Sequence, residues 1–260
     1  MYLRLRQLCL VAAQLEPVVN HLSAVFDVVV CHRDPEVGRF GLHNALLPFG
    51  SSFIEVVAPL REGTTAGRYL ERRGGDGGYM VILDTDELPR WRAHARALGV
   101  RAAAELTLGE YEGLQLHPRD TGGALLEINS TRGGADLQGP YGPAGEHWQG
   151  FVRTRRVRGI AGAVLQAEDP AALAQRWSTI LERPCLAVPQ GYVVPLDNAE
   201  IRFVRAEDGR GGGLAGIAVH TTDAAAIREA AASRGCSVTA QGVEIGGIRF
   251  ELVALATQPG

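Results

Sequence analysis

Two glutamates are the residues of this 260-residue chain best suited to chemistry. Glu55 lies in FIEVVAPL and Glu127 in ALLEIN, each central in a strand-like apolar run. Strand alternation puts Leu125, Glu127 and Asn129 on one face and Leu126 and Ile128 on the other. A carboxylate between apolar neighbours is costly to bury unpaired. It therefore sits at an exposed edge or faces something cationic, such as a metal. Histidine is the other type suited to proton transfer near neutral pH. His43, in GLHNALLPFG, falls on a strand expected beside that of Glu55. There it is either a cleft-facing base or substitute ligand, or a hydrogen-bonded strand histidine. His117 opens the turn PRDTGG and is read as positioning it. His21, His32, His94, His147 and His220 share no metal-ligand spacing and are expected on the surface or in loops.

Composition removes several other chemistries. Every basic residue is Arg and none is Lys, which excludes Schiff-base chemistry and a phosphate-loop lysine. The net charge of −3, with no basic tract, implies neither a nucleic-acid partner nor a membrane surface. Cys9, Cys31, Cys185 and Cys236 are scattered, and read as small apolar residues in a reducing compartment. Met1 to Arg6 runs straight into a strand-like segment, so no signal peptide is expected. With no bilayer-length apolar run, the expectation is a soluble cytoplasmic protein. GGDGG (74–78) and RGGG (210–213) lack nucleotide-loop spacing and read as turns. Arg153, Arg155, Arg156 and Arg158 form the one dense basic cluster. It is either a solvated segment or a contact for a phosphate or carboxylate.

The elements that must carry the two glutamates repeat. Residues 3–13 alternate as a strand, and 14–26 show helical spacing through Leu15, Val18, Val19, Leu22, Val25 and Phe26. Strands are expected at 27–32, 41–47 and 52–57, followed by a polar, Gly-rich connection. The pattern then restarts with a strand at 79–83 and a helix capped by Asp84-Thr85-Asp86 and stopped by Gly99. The separation of Glu55 from Glu127 matches that of Leu15 from Leu88 to within one residue, which marks an internal duplication. Residues 138–150, rich in Gly and Pro, read as an interdomain connection. Beyond it the plan recurs: a strand at 158–165, a helix at 169–181, a strand at 214–219 and a helix at 223–234. IRFV (201–204) and IRFELV (248–253) close these two units.

The hairpin LHPRDTGGALLEI resembles the last hairpin of the vicinal-oxygen-chelate superfamily, in particular its glyoxalase I and methylmalonyl-CoA epimerase branch. The resemblance implies an α+β fold of four βαβββ modules, paired into two glyoxalase-like half-open β-barrel domains at 1–137 and 151–260. It implies a divalent-metal site (Mn, Co, Ni, Zn or Mg) with ligands on the first and last strands of the first pair. Carried over, those positions are Gln7 in QLCLVAAQLEP, Glu55, Met80 in GGDGGYMVILDTDEL, and Glu127. Met80 stands where the family places His, and a thioether does not suit a hard or borderline ion, so a metal-free cleft is the alternative. The second pair offers no tetrad. Glu251 matches Glu127, but Val204 is its counterpart, and 160–162 and 215–217 hold no metal ligand. The second domain is therefore expected to act as a structural partner.

The expected function is that of an isomerase or lyase. Glu55 or Glu127, with His43 as a further candidate, would move a proton alpha to the carbonyl of a small 2-oxo or acyl substrate. A CoA thioester is one such substrate, whose phosphates would suit the Arg153–Arg158 cluster. The alternative is a non-enzymatic small-molecule binder of the bleomycin-resistance type. Either reading makes the partner a small molecule and allows a homodimer.

Overall fold

The structure, a computed structural model, describes residues 1–255. The first half runs β1 (Leu3–Val11), α1 (Leu15–Phe26), β2 (Leu42–Phe49), β3 (Ser52–Pro59), α2 (Thr65–Arg73) and β4 (Gly77–Thr85). It continues through α3 (Leu88–Ala97), β5 (Ala102–Leu108), β6 (Tyr111–Leu116), α4 (Pro118–Thr121) and β7 (Leu125–Thr131). Its sheet has the order β2-β3-β1-β4-β7-β6-β5. The first strand of each module, β1 and β4, pair antiparallel at the centre, while each pairs parallel with the last strand of its own module.

The second half repeats this plan. It comprises β8 (Val157–Ala167), α5 (Pro170–Leu181), β9 (Leu186–Val188), β10 (Gly191–Pro195) and β11 (Glu200–Arg205). Then come β12 (Gly213–Thr221), α6 (Ala224–Ser233), β13 (Ser237–Val238), β14 (Gly242–Ile245) and β15 (Ile248–Ala254). The sheet order is β13-β14-β15-β12-β8-β11-β10-β9, with β8 and β12 antiparallel at its centre. The fold is thus α+β, with two curled sheets forming two paired half-open barrels.

One hydrophobic core joins the halves, running without a break from Leu3 to Phe250. The Phe26 ring lies 5.3 Å from Phe49 and 4.9 Å from Phe250, stitching α1 to both sheets. The sheets come so close at Gly78 that a Cβ there would lie 2.4 Å from the Leu214 carbonyl oxygen. Leu126 and Ile128 enter this core, while Glu127 turns to the opposite, concave face of the sheet. Placing each apolar stripe inward is what obliges the alternate residues to line a cleft.

Several local expectations are corrected. Residues 27–32 form no strand; a single bridge joins His32 to Leu46, because Asp27 takes a left-handed turn and Pro35–Phe40 coil into a 3-10 helix. The Gly-rich connection contains α2, started by the Thr64 hydroxyl accepting from Gly67 N–H and ended by left-handed Gly74. The Asp84-Thr85-Asp86 cap does not form. Glu87 occupies the cap position without a side-chain bond, and Asp84 is drawn under the sheet by Arg4, 2.6 Å away. The PRDTGG turn is one helical turn in which His117 Nδ1 accepts from Arg119 N–H, the positioning role expected of it.

The segment 138–150 is more than a tether. Tyr141, Ala144 and Trp148 are buried on Phe53 and Leu46 in a separate apolar cluster. The basic cluster does not line the cleft, and Arg153, Arg155 and Arg158 are exposed, as a solvated segment would be. Arg155 and Arg153 pair with Asp27, and Arg156 donates to the carbonyls of Ala24 and Val25 at the C-terminal end of α1. All four cysteines are free thiols, and among the described residues no helix is long and apolar enough to cross a membrane.

Candidate functional site

The concave face of the first sheet holds a cavity of about 890 Å³. Gln7 on β1, Glu55 on β3, Met80 on β4 and Glu127 on β7 all line it, so the structure brings together the four positions expected from the sequence. His43 does not line it. Its neighbour Asn44 does, because antiparallel pairing sets Asn44 opposite Val57 on the cleft face and His43 opposite Ala58 on the other. Asn44, missed in the sequence, is the β2 residue that reaches Glu55. His32, expected on the surface or in a loop, sits outside the named strands and also lines the cavity.

Both carboxylates are buried, at 8% and 2% exposure for Glu55 and Glu127, and each is held by side-chain donors. Gln7 Nε2 donates to Glu55 Oε2 at 2.8 Å, and Asn44 Nδ2 to Oε1 at 2.7 Å. The Tyr111 hydroxyl donates to Glu127 Oε1, and Gln115 Nε2 to Oε2 at 2.9 Å. Gly113 makes room for this second pair, since a Cβ there would lie 3.1 Å from the Tyr111 hydroxyl and 3.3 Å from Glu127 Oε1. Burial raises the Glu55 carboxyl above its ordinary pKa, outweighing the bonds from Asn44 and Gln7, and the nearby Glu127 charge adds to the rise. Burial and the Glu127 charge likewise push the Tyr111 and Tyr141 hydroxyls well up, so both remain protonated donors.

A β-bulge between Leu5 and Gln7 puts the neighbours Arg6 and Gln7 on one side of the sheet, where both reach Tyr141. Arg6 is fully buried, its guanidinium carbon 5.0 Å from the Tyr141 ring centre and within 5.6 Å of Phe53 and Trp148. Its Nη1 donates to the carbonyls of Ser51 and Leu137. Three aromatic faces compensate a buried cation that has no carboxylate within ion-pair distance among the described residues. Asn198 of the second half brackets the bulge, bonding both Leu5 N–H and the Leu5 carbonyl.

The donor set does not fit a divalent ion. Gln7 Oε1, the atom that would ligate, accepts from the Tyr141 hydroxyl at 2.9 Å. All four carboxylate oxygens already accept side-chain bonds, and the fourth position is a thioether. Among the described residues no group of three or more His, Cys, Asp and Glu side chains is placed to hold a metal.

In the second half the counterpart of Glu127 is engaged differently. Glu251, the counterpart of Glu127, pairs with Arg202 and Arg249.

Half-barrels of this topology are those of the vicinal-oxygen-chelate class. The model of the glyoxalase-like domain matches residues 8–181, and the chain belongs to that family. Among solved structures, a hypothetical protein from Staphylococcus aureus is 11% identical with a TM-score of 0.70, over 98% of this chain and 100% of that one. A Streptomyces coelicolor methylmalonyl-CoA epimerase bound to 2-nitronate-propionyl-CoA is 21% identical with a TM-score of 0.46, over 50% of this chain and 99% of its own. The Mycobacterium tuberculosis methylmalonyl-CoA epimerase is 22% identical with a TM-score of 0.45, over 49% of this chain and 87% of its own. No curated protein matches at a significant level.

Proposed function

We propose that the protein takes a small carbonyl compound into the first cleft and moves a proton alpha to its carbonyl, with Glu55 as the base. The observation that carries this reading is Glu55 itself, a buried carboxylate with a raised pKa on the wall of a cavity large enough for a ligand. A raised pKa makes the ionised form a stronger base. The proton would pass from the substrate carbon to Glu55, and the electron pair would move onto the carbonyl oxygen. Asn44 and Gln115 line the cavity, and each amide has one bond from its nitrogen to a carboxylate. The second N–H of each would serve as a donor to the developing oxyanion. Substrate candidates are 2-oxo acids and acyl thioesters.

The test is exchange of the alpha hydrogen for deuterium in heavy water, followed by NMR across a panel of such compounds. Wild type should exchange at least one of them, and Glu55→Gln should abolish the exchange while still binding it. A compound that binds without exchange in the wild type would sink the catalytic reading. The donors already on both carboxylates favour a second reading, a binder that sequesters its ligand, and that result would support it.

A further inference from the structure

We infer that Tyr141, carried on the segment between the two halves, is a positioning residue for Glu55 that acts through the Gln7 amide. The inference rests on the reading of Glu55 as the working carboxylate. A glutamine side chain has two ends of similar shape, one a donor and one an acceptor, and only its neighbours decide which way it faces. Glu55 accepts from Gln7 Nε2 at 2.8 Å, while Gln7 Oε1 accepts from the Tyr141 hydroxyl at 2.9 Å. The phenol is the one side chain donating to that oxygen among the described residues. Without it, the amide is free to turn its oxygen toward Glu55, which would set two acceptors against each other.

Tyr141 is itself held at its ring by two neighbours. Its ring stacks on Phe53 at 5.0 Å and 14°, and the Arg6 guanidinium lies 5.0 Å from its centre. The Glu127 charge also acts on its hydroxyl, and Asn129 Nδ2 lies 3.4 Å from Glu127 Oε1. The phenol therefore reaches Glu55 through Gln7, and it feels the Glu127 cluster through that carboxylate's charge. The titratable groups that act on or feel Glu55 among the described residues are Glu127, Tyr111 and Cys9, the last directly paired with Glu55 in register. A segment that reads as a tether thereby supplies a fixed part of the site.

The experiment follows the Glu55 carboxyl by NMR of carbon-13-labelled glutamate in the full-length protein. Tyr141→Phe keeps the ring stack and removes only the hydroxyl. It should raise the Glu55 pKa by about half to one pH unit, because the ionised form loses an assured amide donor. In a Gln7→Met background the same change should shift Glu55 by much less, since the route through the amide is gone. Tyr111→Phe, which touches Glu127, should leave Glu55 nearly in place. A Glu55 titration unmoved by Tyr141→Phe in a folded protein overturns the inference, as does an equal shift with and without Gln7. Failure of deuterium exchange alone would remove the proposed chemistry and leave this coupling intact.

Discussion

Arg73 and Arg210 donate to each other's backbone carbonyl across the two halves, each at 3.2 Å. Arg73 also donates to Gly212, and Arg210 to the carbonyls of Gly75, Asp76 and Gly247. The two glycine-rich turns read from the sequence thus meet here. Arg210→Ala should lower the unfolding free energy by about 2 kcal/mol, since it strips charge-assisted bonds from a half-buried clasp. Urea titration measures this. Unchanged stability would mean that water replaces the clasp at no cost.

The pH dependence of stability should carry the signature of Glu55. Its folded pKa is raised above the ordinary 4.5, so the folded protein holds this proton more tightly than the unfolded chain does. The resulting stabilisation is full below the unfolded pKa and is lost as pH rises through the folded value. Wild type should therefore lose stability relative to Glu55→Gln between about pH 4 and about pH 7. Denaturant titrations of both proteins at the two pH values would show the difference narrowing or reversing in favour of the variant. A difference that stays constant, or moves the other way, would contradict the raised pKa.

Metal uptake should be absent from the native tetrad and recoverable by design. Calorimetric titration of the parent with Mn, Co, Ni or Zn should give no stoichiometric binding in the cleft. Tyr141→Phe combined with Met80→His frees Gln7 Oε1 and replaces the thioether with an imidazole. That variant should gain binding of the borderline ions, by tenfold or more on the order of a single added ligand. Stoichiometric metal in the parent that disappears in Glu127→Ala would refute the misfit argued from the donor atoms.

Trp148 should matter more than a tether residue would. Its ring is buried edge-on against Phe53, 5.0 Å between centres, and it flanks the Arg6 cation. Trp148→Ala should cost about 3 kcal/mol and make residues 138–150 the first site of proteolytic cutting. Cutting elsewhere first, with stability intact, would return the segment to the role of a linker.

The repeat and the central strand positions of the two glutamates were legible in the sequence. Strand alternation and helix spacing are local properties, and an apolar stripe that must enter a core commits its alternate residues to the opposite face. In ALLEIN that logic sets Glu127 on the face opposite Leu126 and Ile128 and leaves it either at an exposed edge or facing a cation; the cleft itself was implied by the family resemblance. The same logic fails at β2, where a shift of one residue exchanges His43 for Asn44, and the composition of GLHNALLPFG does not set the register. It also passed over α2, whose helix is specified by a Thr cap and a Gly stop in a stretch too polar to show a clear apolar stripe.

The remaining features belong to tertiary structure. Tyr141 meets Gln7 across 134 residues of chain, and no period or propensity links two positions so far apart. The contact exists because Phe53 and Leu46 leave an apolar surface at one end of the cleft that residues 141–148 cover. The same packing decides the fate of the metal tetrad. The sequence names four residues at ligand positions, but only the fold shows their oxygens already bonded to Tyr111, Tyr141, Asn44 and their fellow amides.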